Sequence, residues 1–141
     1  MTGDPFDLER FVGAQDLVWD EVLRELRAGR KESHWMWFVF PQVEGLGYSS
    51  MSRKYAISGL AEARAYLAHP VLGRRLRECA ELVVVAPAHS AQAMFGPIDA
   101  LKLRSSMTLF ARADPSAGLF GQVLGRFFNG IADSETEARL S

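Results

Sequence analysis

Apolar residues recur at three- and four-residue steps along most of the chain, and that period predicts helices. The opening stretch "DPFDLERFVGAQDLVWDEVLRELRAGRK" is the clearest case. Leu8, Phe11, Val12, Val18, Trp19, Val22 and Leu26 form one broad stripe that ends near Gly29, with Asp4 placed as N-cap, Pro5 at the first helical position and Asp7 in the first turn. Gln15 also falls on this stripe. A buried amide must find partners or cost about 1–3 kcal/mol, so Gln15 either clamps a neighbouring backbone or faces a polar pocket. Arg24, Arg27, Arg30 and Lys31 close the segment, where cations suit the negative end of the helix dipole or could contribute to an anion site.

Further along, "PQVEGLGYSS" reads as an irregular loop with turns at Gly45 and Gly47, followed by a short helix over "MSRKYAI". Ser58 is expected to cap "GLAEARAYLAHP", with Leu60, Ala63 and Leu67 inward and the helix stopping before Pro70. "PVLGRRLRECAELVVVA" puts Leu72, Leu76, Cys79 and Val83 on one face. The run Val83 to Val85 could be a strand, but no second alternating run exists to pair with it, and a lone strand is unstable. Ser90 caps a short turn, and "GPIDALKLRSSMTLFARA" starts a helix with Pro97 at its first position. Ile98, Leu101 and Leu109 lie along one side and Leu103, Met107 and Phe110 along another, which predicts a buried helix. An amphipathic helix over "AGLFGQVLGRFF" and a capped, polar tail free to fray complete the chain. The expected fold class is all-α: one compact multi-helical domain over residues 1–141 with central buried helices and a loosely packed 131–141 tail.

Composition narrows the picture further. The chain of 141 residues is long enough for one core that hides roughly two-thirds of its unfolded surface. Its longest apolar run, Trp35 to Phe40, is far short of the about 20 residues a membrane span needs. No membrane partner is expected. The acidic start "MTGDPFDLERF" lacks a secretory pattern, and the single Cys79, read as a small core residue, suits a reducing compartment, so a cytoplasmic location is expected. A net charge of -1 gives no overall nucleic-acid footprint, though it leaves a local patch open. Arginine greatly outnumbers lysine, from coding bias or for planar binding of phosphates and carboxylates. Oligomeric state is not legible.

Two segments carry candidate chemistry. In "SHWMWFVFPQ", His34 and Gln42 flank Trp35, Trp37, Phe38 and Phe40. Tryptophans two residues apart point to different sides, so both are core only if the segment is deeply buried, and otherwise one faces a cavity where a planar ring could stack. His34 is either a satisfied histidine or, with an orienting partner, a general acid or base. In the helix from Pro97, Asp99, Lys102 and Ser106 share one narrow polar stripe, with Ser105 beside it. Lys102 must be paired or solvated, by Asp99, by a loop carboxylate such as Glu44, or by a ligand. A snorkelling structural lysine, a Ser-Lys catalytic pair and a pocket for an anionic or polyhydroxyl ligand are the three readings of that stripe. No metal-ligand spacing, phosphate loop, nucleophile elbow or cofactor fingerprint is present, so neither metal nor cofactor is expected.

The blocks "RAGRKESHWMWFVFPQVEGLGYSS", "AYLAHPVLGRRLREC" and "FGPIDALKLRSSMTLFARA" resemble a bacterial family of small domains of unknown function, often named only "conserved hypothetical protein" and sometimes mislabelled calpastatin. The likeness covers nearly the whole chain. It implies a compact multi-helical domain and no assigned activity. The order "YLAHPVLGRRL" then "FGPIDALKLRSSM" is more distantly similar to a helical family that processes NAD- and ADP-ribose-derived compounds, but Phe95-Gly96 stands where that family has Trp-Gly, and its characteristic glutamate is not clearly matched. Three functions follow as expectations: a small-molecule pocket for a nucleotide-derived or anionic ligand, walled by His34, Trp35, Trp37, Gln42, Asp99, Lys102, Ser105 and Ser106; a non-enzymatic interaction module with an exposed tryptophan; or an N-glycosidase-like hydrolase of ADP-ribose-type compounds.

Overall fold

Asp4 opens the first helix, but one turn later than its position before Pro5 suggests. Its carboxylate accepts from the N–H groups of Leu8 and Glu9, both at 2.8 Å, while Asp7 takes a left-handed φ of 52°. Helix α1 (Glu9–Asp16) therefore starts after a turn. The segment expected as one helix is also broken in two, because Val18 leaves helical geometry before α2 (Trp19–Ala28) begins. The reason lies in the packing. The first helix meets the short α3 (Met36–Val39) and the second meets α6 (Leu72–Val85), and the bend lets each turn its buried face to its own neighbour while Leu17 at the corner is exposed. Gly29 ends α2 at φ 71°, where its N–H reaches Leu26 and that of Arg30 reaches Glu25.

The structure, a computed structural model, describes residues 3–140. Met1, Thr2 and Ser141, which belong to the expected domain, lie outside the described residues. Among the described residues the remaining helices are α4 (Ser50–Lys54), α5 (Leu60–Ala68), α7 (Ala91–Phe95), α8 (Pro97–Ala113), α9 (Leu119–Phe128) and α10 (Ser134–Leu140). They form one all-α domain. Val43 and Ile57 make an isolated parallel bridge, and Val83 to Val85 complete a helix. Ser90 caps α7 as expected, accepting from the Ala93 N–H. Ser58 works differently: its N–H and hydroxyl both donate to Glu62, so the glutamate in the first turn caps the segment. No helix among the described residues is long and apolar enough to cross a membrane.

Helix α8 is the central strut, packed against α5, α7, α9 and α10. Leu103, Met107, Leu109 and Phe110 are buried, as predicted, and Ser105, Ser106 and Thr108 are buried with them, but Ile98 and Leu101 at its start are 70% and 65% exposed. The correction has a simple cause. One face of the first two turns of α8 is left uncovered, while Ala100 and Leu103 on the opposite face are buried. From Phe110, aromatic contacts run through Tyr66 to Phe11 and Tyr55 on one side and to Phe120 on the other, with centroids 5.1–5.9 Å apart. The C-terminal segment docks on α8, with Thr136 buried and Arg112 paired to Glu137.

Arginines fasten loops to this frame through backbone carbonyls. Arg126 donates to Val83, Val84, Ala86 and Ala88, closing the C-terminus of α6. Arg10 reaches Phe6, Asp7, Lys54 and Ala56 as well as Glu62. Arg104 holds Ile131 and Ala132.

Where α5 turns into α6 the backbones approach so closely that a Cβ on Gly73 would lie 2.1 Å from the Leu67 carbonyl oxygen. Gly73→Ala is expected to lower the free energy of urea unfolding by about 1–3 kcal/mol. Gly121→Ala, whose Cβ would meet nothing within 4 Å, is expected to raise it by about 0.5–1 kcal/mol. A Gly73→Ala protein as stable as the parent would show that the contact opens at no cost.

Candidate functional site

The site is built outward from a buried carboxylate, Glu25, which is 1% exposed in the last turns of α2. One of its oxygens accepts from the N–H groups of Glu32 (2.8 Å) and Ser33 (3.0 Å) and from the Trp35 indole (2.9 Å); the other accepts from the Ser33 hydroxyl at 2.6 Å. Burial alone would raise its pKa. The hydrogen bonds from Ser33, Glu32 and Trp35 outweigh that cost and hold the carboxyl at about 2, against an ordinary 4.5. Trp35 is thereby drawn wholly into the core against Phe40 and Phe95.

The same turn directs Lys31 inward. Its ammonium lies 2.8 Å from Asp99, donates to the Ser33 carbonyl and stands 4.9 Å over the Trp35 ring. On its other oxygen Asp99 meets Lys102 at 3.6 Å, and the Lys102 ammonium stands 4.8 Å over the Trp37 ring. Two lysines thus share one carboxylate at the start of α8. Beside them is a cleft of about 280 Å³, walled by His34, Met36, Trp37, Phe95 and Ile98 and floored by the Lys31–Asp99 pair.

The eight residues expected to form a site are distributed as follows. His34, Trp37 and Asp99 line this cleft, and Lys102 joins it through Asp99 and the face of Trp37. Gln42 lines a second cleft of about 130 Å³, which shares Trp37 with the first. Trp35 is fully buried and offers no surface to either. Ser105 turns to the other flank of α8 and hydrogen bonds Thr136 at 2.7 Å, so it is not gathered with Lys102. Ser106 is enclosed one turn beyond Lys102, and its hydroxyl has no partner among the described residues. The Trp37 indole N–H is likewise buried with no acceptor among them. Gln15 clamps backbone, donating to the Phe38 carbonyl at 2.7 Å and to the Tyr66 hydroxyl, and accepting from Arg75.

Sequence reasoning missed Glu25, and it left Lys31 between a partner of the helix dipole and a contributor to an anion site. The signal for Glu25 was available: it stands three residues after Val22 and next to Leu26, on the buried stripe itself. The pairing of Lys31 carried no local signal, because Asp99 is distant in sequence and is brought to it only by folding. Among the described residues, no three His, Cys, Asp or Glu side chains gather as a metal-ligand set.

Comparison with known proteins agrees with the helical architecture. The family model described as "Protein of unknown function (DUF1810)" matches residues 5–140. The chain is also similar to the conserved hypothetical protein Rv1873 from Mycobacterium tuberculosis, whose crystal structure superposes with a TM-score of 0.95 at 54% sequence identity, covering 97% of this chain and 98% of that one. No functionally curated protein matches.

The depressed pKa of Glu25 couples folding to pH. Because the folded-state value lies below the unfolded one, this stabilisation is complete above about pH 4.5 and is lost as pH falls through about 2. The shift corresponds to about 3 kcal/mol. From about pH 5 to about pH 2, the unfolding free energy of the parent should fall by about that much more than that of Glu25→Gln, measured in urea by tryptophan fluorescence. Parallel pH profiles for the two proteins would show that Glu25 is not the coupled group.

Proposed function

The chain belongs to the DUF1810 family, whose description assigns no activity, and from the cleft beside α8 we propose that it binds a small molecule made of a planar ring and an anionic group. The observation that carries this reading is the uneven sharing of Asp99. Lys31 is held by Asp99 at 2.8 Å, by the Ser33 carbonyl and by the Trp35 face, and its side chain is 6% exposed. Lys102 has only the 3.6 Å contact with Asp99 and the face of Trp37, and its side chain is 20% exposed. One carboxylate against two ammonium groups leaves a positive charge, and Lys102 is the one free to swing.

Two further features support an anion. The 17-residue α8 presents its positive end on the cleft at Pro97, Ile98 and Asp99, where the N–H groups of Ile98 and Asp99 have no partner within the helix. Trp37, Met36, Phe95 and Ile98 supply the apolar surface a ring requires, and stacking on an aromatic wall contributes about 1–3 kcal/mol. His34, exposed at the rim, is placed to hydrogen bond the ring. The reading needs no reaction. A hydrolytic one would need a carboxylate free to act, and the carboxylate on this cleft is tied to two lysines. An interaction module built on the tryptophans would have to use Trp37 alone, since Trp35 is fully buried and Trp37 is partly so.

A thermal-shift comparison of AMP, nicotinate and uncharged adenosine tests the proposal. AMP or nicotinate should raise the melting temperature where adenosine at the same concentration does not, approaching about 2.7 kcal/mol at 100 times the Kd. Lys102→Ala should abolish the shift while costing the unliganded protein no more than about 1 kcal/mol, as expected for a loosely held pair. No shift with either anion, or an equal shift in Lys102→Ala, would overturn it.

A further inference from the structure

Trp37 is the shared wall of both clefts, and its N–H is a buried donor with no acceptor among the described residues. The smaller cleft, beyond the indole, is of mixed character. Gln42, Glu44, Ser52 and Arg53 supply its polar side and Val43, Tyr55 and Ala56 its apolar side. Several arginines are committed to carbonyls or carboxylates, as Arg10, Arg104 and Arg126 are. Arg53, like the exposed Arg27, Arg30 and Arg74, has no guanidinium hydrogen bond or ion pair among the described residues, but of these four it is the one that lines this cleft. The Arg139 guanidinium presses on Gly45 at the same loop, where a Cβ would lie 2.2 Å from its Nη1. Arg53 and Glu44 both line this cleft, and Arg139 closes on Gly45 at its edge.

We propose that the bound molecule is two-headed. Its ring and first anionic group occupy the cleft of His34 and Asp99, and a second anionic group crosses Trp37 into the cleft of Gln42 and Arg53. There Arg53 forms a forked pair with it, and the Trp37 N–H donates to one of its oxygens. Size agrees with this division. The larger cleft alone, at about 280 Å³, falls just short of the about 300–1,000 Å³ typical of small-molecule sites, and the added space of about 130 Å³ brings the pair within it. The chemical class is a nucleoside bisphosphate, or another planar ring flanked by two anionic groups. This inference rests on the ring-and-anion reading of the larger cleft.

Titration calorimetry with AMP and with adenosine 3′,5′-bisphosphate separates the two. The parent should bind the bisphosphate at least about tenfold more tightly than AMP, as a forked arginine–phosphate pair allows. Arg53 is exposed, so Arg53→Ala should fold; it is expected to reduce bisphosphate affinity to that of AMP and leave AMP binding unchanged. Arg27→Ala, an exposed arginine on α2, should keep the full advantage and so exclude a general charge effect. If the parent binds both compounds equally, or Arg53→Ala retains the advantage, the second head is refuted while the one-headed reading stands. If neither compound binds, the second head is refuted, and the one-headed reading falls with it if nicotinate also fails to bind.

Discussion

The fold around the clefts depends on one buried carboxylate. Ionised Glu25 can stay in the interior only because four donors converge on it, since an unpaired charge there would cost several kcal/mol. Satisfying those donors bends residues 32–35 into one conformation, which sends Trp35 into the core and turns Lys31 toward α8. The Lys31–Asp99 pair then fixes how the start of α8 sits against the aromatic segment. The larger cleft is bounded by that arrangement, and the smaller one touches it through Trp37. The larger cleft is thus a consequence of polar groups that had to be paired once the helices closed.

Much of the helical architecture was legible because period decides it locally. Leu72, Leu76, Cys79 and Val83 line one buried face as their spacing predicts, and Pro97 marks the start of α8. The break at Val18 was not legible, since the stripe from Leu8 to Leu26 is equally consistent with one helix, and only the different partners of α1 and α2 divide it. Ile98 and Leu101 failed for a related reason: periodicity gives a side, while exposure depends on which side a neighbouring helix covers. At the site, the Asp99–Lys102 pair follows from i, i+3 spacing, whereas Lys31–Asp99 joins segments far apart and needs the whole fold. The divergence of Trp35 and Trp37, one wholly buried and one on a cleft wall, agrees with their two-residue separation.

The surplus of arginine over lysine has a structural use besides any coding bias. A guanidinium offers five donors in a fixed plane, so one side chain can satisfy several carbonyls left open at a helix end. Arg126 does this for the end of α6, and Arg10 joins the N-terminal turn to the end of α4 and to Glu62. A lysine at either place would supply charge without that reach. Several loops are held by these contacts where apolar burial is thin.

Cys79 gives the chain a property unrelated to ligands. It is the one cysteine, fully enclosed on the inner face of α6, and burial pushes its thiol toward the protonated form. A thiol-directed reagent therefore finds no thiolate to attack while α6 is seated. Alkylation can proceed only during excursions that lift α6 from the core, so its rate, at saturating reagent, counts those openings one molecule at a time. The protein carries its own clock for cooperative opening, with no label to be engineered.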